Sequence, residues 1–208
     1  VVNEPELLLA DEPTGNLDSA TSGIGQNIRV NSDAGSSRQA FPDVAADALW
    51  HFTVVWTDWR NGTYPNNPDI YARKYDTLMT ALTSDTRVNR DGSSRAQKDP
   101  AIASDRLGNV AIVWSDSGIT SFDIVGQMID ADGKIRETSF RANSTTDSAQ
   151  MQPDVALDGR KRYVCWADRR NGNWDIYASI AQYNNPKLVA APSVLNFAAE
   201  IGKPLPPA

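Results

Sequence analysis

The sequence predicts an all-β fold assembled from repeated four-stranded units. An internal repeat of about fifty residues, a strand-like pattern inside each repeat, and turn residues between the runs all point to it. The first repeat reads Ile28-Arg29-Val30-Asn31, Gln39, Pro42-Asp43-Val44-Ala45, Asp47, Val54-Val55-Trp56-Thr57-Asp58 and Asp69-Ile70-Tyr71-Ala72. The second reads Thr86-Arg87-Val88-Asn89, Gln97, Pro100-Ala101-Ile102-Ala103, Asp105, Ile112-Val113-Trp114-Ser115-Asp116 and Asp123-Ile124-Val125-Gly126. The third reads Phe140-Arg141-Ala142-Asn143, Gln150, Pro153-Asp154-Val155-Ala156, Asp158, Val164-Cys165-Trp166-Ala167-Asp168 and Asp175-Ile176-Tyr177-Ala178.

Four strands per repeat follow in order. The Pro-x-Val/Ile-Ala run comes first, then the run closing on Trp-x-Asp, then the Asp-Ile run, and last the Arg-x-Asn run. In the second run Phe52, Val54 and Trp56 alternate with Val55, and Val110, Ile112 and Trp114 alternate with Ala111 and Val113. A strand apolar on both faces lies between other layers, so the units stack face to face. No segment sustains a 3.6-residue period for ten residues, which excludes helical repeats. Four-stranded units stacked through doubly buried middle strands describe the blades of a β-propeller, three in this chain, at about 28–85, 86–139 and 140–183.

Composition narrows the function classes. The chain has 208 residues and a formal charge of −6, with one Cys and one His. Net acidity disfavours binding to phosphate backbones, so nucleic acid is not an expected partner. No apolar run approaches the ~20 residues of a membrane helix, so no membrane partner is expected either. A single Cys165 excludes an internal disulfide, and a lone His51 excludes a multi-His metal centre. No metal or cofactor is expected. Cys165 occupies the position of Val55 and Val113 and reads as a small buried hydrophobe.

The motif Gln-x-x-Pro, Trp-x-Asp-x-Arg-Asn-Gly and Asp-Ile-Tyr resembles the propeller repeats of large secreted bacterial surface proteins, related in shape to sialidase-like and TolB-like propellers. The resemblance covers residues 26–183 and implies an extracellular or cell-surface location, although no secretory signal is visible in this chain. The sialidase Asp-box pattern is met only in part, at Asn31-Ser32-Asp33-Ala34-Gly35-Ser36-Ser37, with Arg38 where that pattern has Trp. Residues 1–22, with Glu4-Pro5-Glu6-Leu7-Leu8-Leu9-Ala10-Asp11-Glu12-Pro13-Thr14-Gly15-Asn16-Leu17-Asp18, resemble the Walker B strand and D-loop of export-type ABC ATPases. In that family the equivalents of Asp11 and Glu12 serve Mg²⁺ and the attacking water. The phosphate loop is missing from this sequence, so no nucleotide chemistry is expected. Residues 184–208 are Pro-rich, and Pro192-Ser193-Val194-Leu195-Asn196-Phe197 resembles the opening strand of an Ig-like module.

Candidate site residues come from the loops that blade topology gathers on one face. Asp58, Trp59, Arg60, Asp116, Asp168, Arg170 and Trp174 combine acids, guanidinium groups and aromatic rings, the ingredients of carbohydrate or carboxylate recognition. The competing reading gives the recurrent acids to their own hairpin amides, as Asp does in turns. A catalytic residue, by contrast, should break the repeat. Asp43 and Asp154, on the inner strands, are the one carboxylate pair offered for hydrolysis. These features lead to the expectation of a non-catalytic propeller module that binds glycan or protein or serves as a scaffold, with a glycan-cleaving hydrolase as the alternative. Three blades leave two open sheet faces, and Ile28-Arg29-Val30-Asn31 precedes the first blade with nothing to complete. A homodimer closing one six-bladed ring is therefore expected.

Overall fold

The computed structural model describes residues 27–62, 64–90, 95–118, 121–135, 138–158 and 160–183. The segments read as an ATPase-like remnant and as a Pro-rich, Ig-like start lie outside the described residues. The first sheet contains β1 (Gln39–Ala46), β2 (Phe52–Asp58), β3 (Asp69–Tyr75) and β4 (Thr86–Arg87), in that order. The second contains β5 (Gln97–Ser104), β6 (Val110–Ser117), β7 (Phe122–Ile129) and β8 (Phe140–Arg141). The third contains β9 (Gln150–Leu157), β10 (Lys161–Asp168) and β11 (Asp175–Gln182). All pairs are antiparallel meanders. The described residues fold as three consecutive blades of a β-propeller.

Sheets and sequence repeats are offset by one strand. The Arg-x-Asn run that opens the second repeat pairs with the first sheet, Tyr71 facing Arg87, and the run opening the third repeat pairs with the second sheet, Val125 facing Arg141. Each repeat thus begins by finishing the blade before it.

Local chemistry explains why the acids recur. Asp47 takes the amides of Leu49 and His51, Asp105 those of Leu107 and Asn109, and Asp158 those of Arg160 and Lys161. These side chains close the turns between the first and second strands of each blade. Asp76 and Asp130 do the same after the third strand, taking the amides of Leu78 and Thr80 and of Asp132 and Lys134.

Two apolar cores hold the stack together. Val55, Ile70 and Ala72 of the first blade pack against Ile102, Ile112 and Trp114 of the second. Val113, Ile124 and Met128 of the second pack against Val155, Val164 and Trp166 of the third. β6 is consequently buried on both faces, whereas β10 alternates because the outer face of the third blade is uncovered. The repeat makes the cause visible. Ile70 and Ile124 are 0% exposed, but their counterpart Ile176 is 77% exposed. Val44 is 58% exposed, while its counterparts Ile102 and Val155 are 6% and 8% exposed. The same residue is core or surface according to whether another blade lies over it.

A polar relay accompanies the apolar contacts. The Asn89 carboxamide accepts the Ile70 amide at 2.9 Å, donates to Asp69 at 2.7 Å and donates to Gln97 of the next blade at 3.0 Å. Gln97 in turn donates to Asp116 at 3.2 Å. Asn143 repeats the pattern with Ile124, Asp123 and Gln150 at 2.8, 2.7 and 3.1 Å. The Asn and Gln of the repeat therefore tie each blade to its successor, in sites where an unpaired amide would be costly.

Candidate functional site

The loop preceding each first strand and the hairpin after each second strand meet on one face. Trp59, Ser117 and Arg169 donate their backbone amides to the carbonyls of Arg38, Ala96 and Ala149 at 3.0, 2.8 and 3.1 Å. Within each blade the two loops are thus tied through the backbone.

Within that face, Asp58, Asp116 and Asp168 are buried beneath the surface. The indole N–H groups of Trp56, Trp114 and Trp166 donate to them at 2.8, 3.3 and 3.0 Å, two residues apart on one side of a strand. Asp58 also takes the Arg60 amide and its guanidinium, and Asp168 does the same with Arg170. Burial pushes the Asp58 carboxyl up, but hydrogen bonds from Arg60 and Trp56 hold it below its ordinary value. Arg170 holds Asp168 low despite its burial. Arg60 further pairs with Asp85 at 2.9 Å and lies over Tyr71, and Arg170 lies over Tyr177. Asn61 bonds Asp69 and Tyr71, and Asn171 bonds Asp175 and Tyr177, so the Arg-Asn-Gly and Asp-Ile-Tyr motifs occur together because they touch.

Trp59 is buried edge-on against Tyr64, and Arg38 lies over both rings. Trp174 is half exposed on the corresponding hairpin of the third blade. His51 contacts Asp47 at 3.2 Å within its turn. Asp43 accepts the amides of Val44 and, across the blade boundary, Ile102, whereas Asp154 accepts only the Val155 amide and is exposed. Among the described residues no three His, Cys, Asp or Glu side chains are grouped as a metal site would need.

One carboxylate stands apart, and the sequence reading passed over it. The first strands of successive blades pack side by side, β1 on β5 and β5 on β9. Each carries a bulge just before its Pro. The bulge residues Phe41, Asp99 and Gln152 all have φ of 54°. Asp99 is half-buried, and among the described residues no hydrogen bond reaches its carboxylate. Burial raises its pKa, and the neighbouring Lys98 only partly offsets this. Lys98 lays its ammonium 4.6 Å over Phe122. Phe122 borders an open cleft between the second and third blades, where Ser117, Ser121, Asp147, Ser148 and Arg169 also lie. The signal was present in the sequence: the three repeats carry three unrelated residues in this column.

No protein-family model and no curated protein sequence matches the chain. Solved structures do resemble it. A GH43 endo-arabinanase from Bacillus licheniformis matches 70% of this chain and 51% of its own, at 15% identity and a TM-score of 0.47. An exo-1,5-α-L-arabinanase from a bovine ruminal metagenomic library matches 71% and 53%, at 14% identity and a TM-score of 0.44. A family 117 glycoside hydrolase from the marine bacterium Zobellia galactanivorans matches 77% and 57%, at 10% identity and a TM-score of 0.45. The chain spans about half the length of each. All three similar structures are glycoside hydrolases, the class of the alternative reading and not of the expected non-catalytic binding or scaffold module.

Proposed function

We propose that the chain forms part of a glycan-cleaving propeller hydrolase, with Asp99 as its proton-donating carboxyl. The observation that carries this reading is the Asp99 carboxylate itself: repeat-breaking, half-buried, and without a hydrogen bond among the described residues. Burial moves such a carboxyl in the direction a general acid requires. In glycoside cleavage it would protonate the departing glycosidic oxygen as the C–O bond breaks, and a second carboxylate about 5 to 9.5 Å away would act as nucleophile or activate water. Asp43, tied to two backbone amides, is poorly placed for that second role.

The test is reducing-sugar release by the full chain from a polysaccharide panel that includes arabinan. Asp99→Asn is expected to lower the rate by roughly 10² to 10⁴-fold, the usual contribution of a positioned acid. Cleavage of no panel member, or equal rates for wild type and variant, would overturn the proposal.

A further inference from the structure

The residue between Trp and Asp at the end of each second strand faces the bulge of the next blade. Ser115 holds that position in β6. It is fully buried, and its hydroxyl accepts the amide of Gln152, the bulge residue of β9, at 3.2 Å. Thr57 holds the same position in β2, and β2 packs on β5 as β6 packs on β9. The registers agree, since Ala40 faces Thr57 and Lys98 faces Ser115, each one residue before its bulge. Asp99 and Gln152 also share one backbone conformation. Thr57 therefore stands toward Asp99 as Ser115 stands toward Gln152.

The two boundaries differ in one respect. Thr57 is as deeply buried as Ser115, but its hydroxyl has no hydrogen-bond partner among the described residues. Here the next blade is held further along, by Asp43, which accepts the Ile102 amide at 2.9 Å. A buried hydroxyl left unpaired destabilises a fold, and native interiors hold few of them. The Asp99 carboxylate is likewise without a hydrogen bond among the described residues. An unspent donor and an unspent acceptor thus share one blade boundary, within the stack and away from its ends.

We infer that Thr57 is the positioning residue of Asp99, its hydroxyl donating to the Asp99 carboxylate once that group has given up its proton. The inference rests on the reading of Asp99 as the acid. In the cleavage step the Asp99 proton passes to the departing glycosidic oxygen as the C–O bond breaks, and the carboxylate left behind is charged and half-buried. A donor that engages the charged form alone favours that step and draws the carboxyl pKa down. The other charges on the strands around β5 are committed elsewhere. Asp43, Asp58, Asp69, Asp116 and Asp154 are each bonded by amides, indoles or Arg60, and Arg73 and Lys74 pair with Asp85 and Asp47. Lys98 is the charge that acts on Asp99.

The test is titration of the Asp99 carboxyl carbon by NMR, assigned with Asp99→Asn, in the full chain and in its Thr57→Val and Thr57→Ser variants. Thr57→Val keeps the side-chain shape without the hydroxyl and is expected to raise the Asp99 pKa by about half a unit to one unit, with Thr57→Ser restoring it. In polysaccharide hydrolysis Thr57→Val is expected to lower kcat roughly tenfold with KM unchanged. At acid pH, where Asp99 keeps its proton, Thr57→Val is expected to melt no lower than wild type. An Asp99 titration indifferent to Thr57→Val overturns the inference while leaving the hydrolase reading intact. So does a Thr57→Val chain that melts lower at every pH, which would make Thr57 a structural residue. A wild-type chain that cleaves nothing counts against the hydrolase reading, and the titration alone then decides whether Thr57 serves the carboxylate.

Discussion

Asp99 separates a residue kept for the fold from one kept at its expense. Burial raises its pKa from the ordinary 3.8, so the folded chain retains a proton that the unfolded chain has released. Folding stability therefore falls as pH rises from about 3.8 through the folded-state value, and is level above it. Asp99→Asn abolishes this slope. The variant is expected to melt higher than wild type at pH 7 and no higher at pH 3, by scanning calorimetry, while losing hydrolysis. A structural carboxylate would behave oppositely: its removal would lower the melting temperature. Gain of stability with loss of activity is the pattern of a strained functional group.

At the scale of elements, the outer strands show how closely the blades are fitted. A methyl group added at Gly126 on β7 would collide with the ring of Phe140 on β8 and come within 2.9 Å of the Ile112 carbonyl. Phe140 cannot retreat freely, because the Arg162 guanidinium of the third blade lies 3.6 Å over its ring. Gly126→Ala is expected to cost about 1 to 3 kcal/mol in urea denaturation, the usual effect of overpacking. Adding Phe140→Leu should recover part of the loss, and an unchanged midpoint for the single variant would show that the strand pair adjusts.

Strand identity and order were legible in the sequence because each recurrent residue does a local task. Trp-x-Asp is an indole donating to a carboxylate two residues on, and Asp-Ile-Tyr answers Arg-Asn-Gly across one hairpin. The Asn and Gln columns were visible but their role was not, since they act between repeats and spacing along one repeat cannot show it. The acids Asp58, Asp116 and Asp168 could be read from the sequence as ligands or, with the better claim, as turn residues, and their depth shows how much of their bonding capacity is used inside the hairpin. Asp99 was passed over for another reason. A period-two reading assumes an unbroken register, and the left-handed bulge breaks it just where the column varies.

For the molecule as a whole, opposed carboxylates set the pH range of stability. Asp58 and Asp168 are held below their ordinary value by the contacts described above. Asp47, pushed up by burial, is held down by the amides of His51 and Leu49 and by Lys74, which also reaches the Ala131 carbonyl of the second blade. The stability these three contribute is present above about pH 3.8 and is lost as pH falls through their lower folded-state values. Asp99 has the reverse slope above the same point. Thermal melts from pH 2 to 8 are expected to show stability falling away on both the acid and the alkaline side of a maximum, with Asp99→Asn flattening the alkaline side alone. A wild-type profile that rises steadily to pH 8 would contradict this balance.

The bulge before each Pro has a consequence for how such a protein changes over time. Phe41, Asp99 and Gln152 have equivalent backbone geometry and quite different side chains, so the scaffold tolerates aromatic, acid and amide there alike. The column is a set of interchangeable sockets on neighbouring strands, opposite the tryptophans of the second strands but outside the Asn and Gln ties between blades. New chemistry can therefore be tried one blade at a time, by single substitutions that leave every inter-blade tie in place. A repeat architecture of this kind keeps a few positions open to selection for activity and commits the rest to folding.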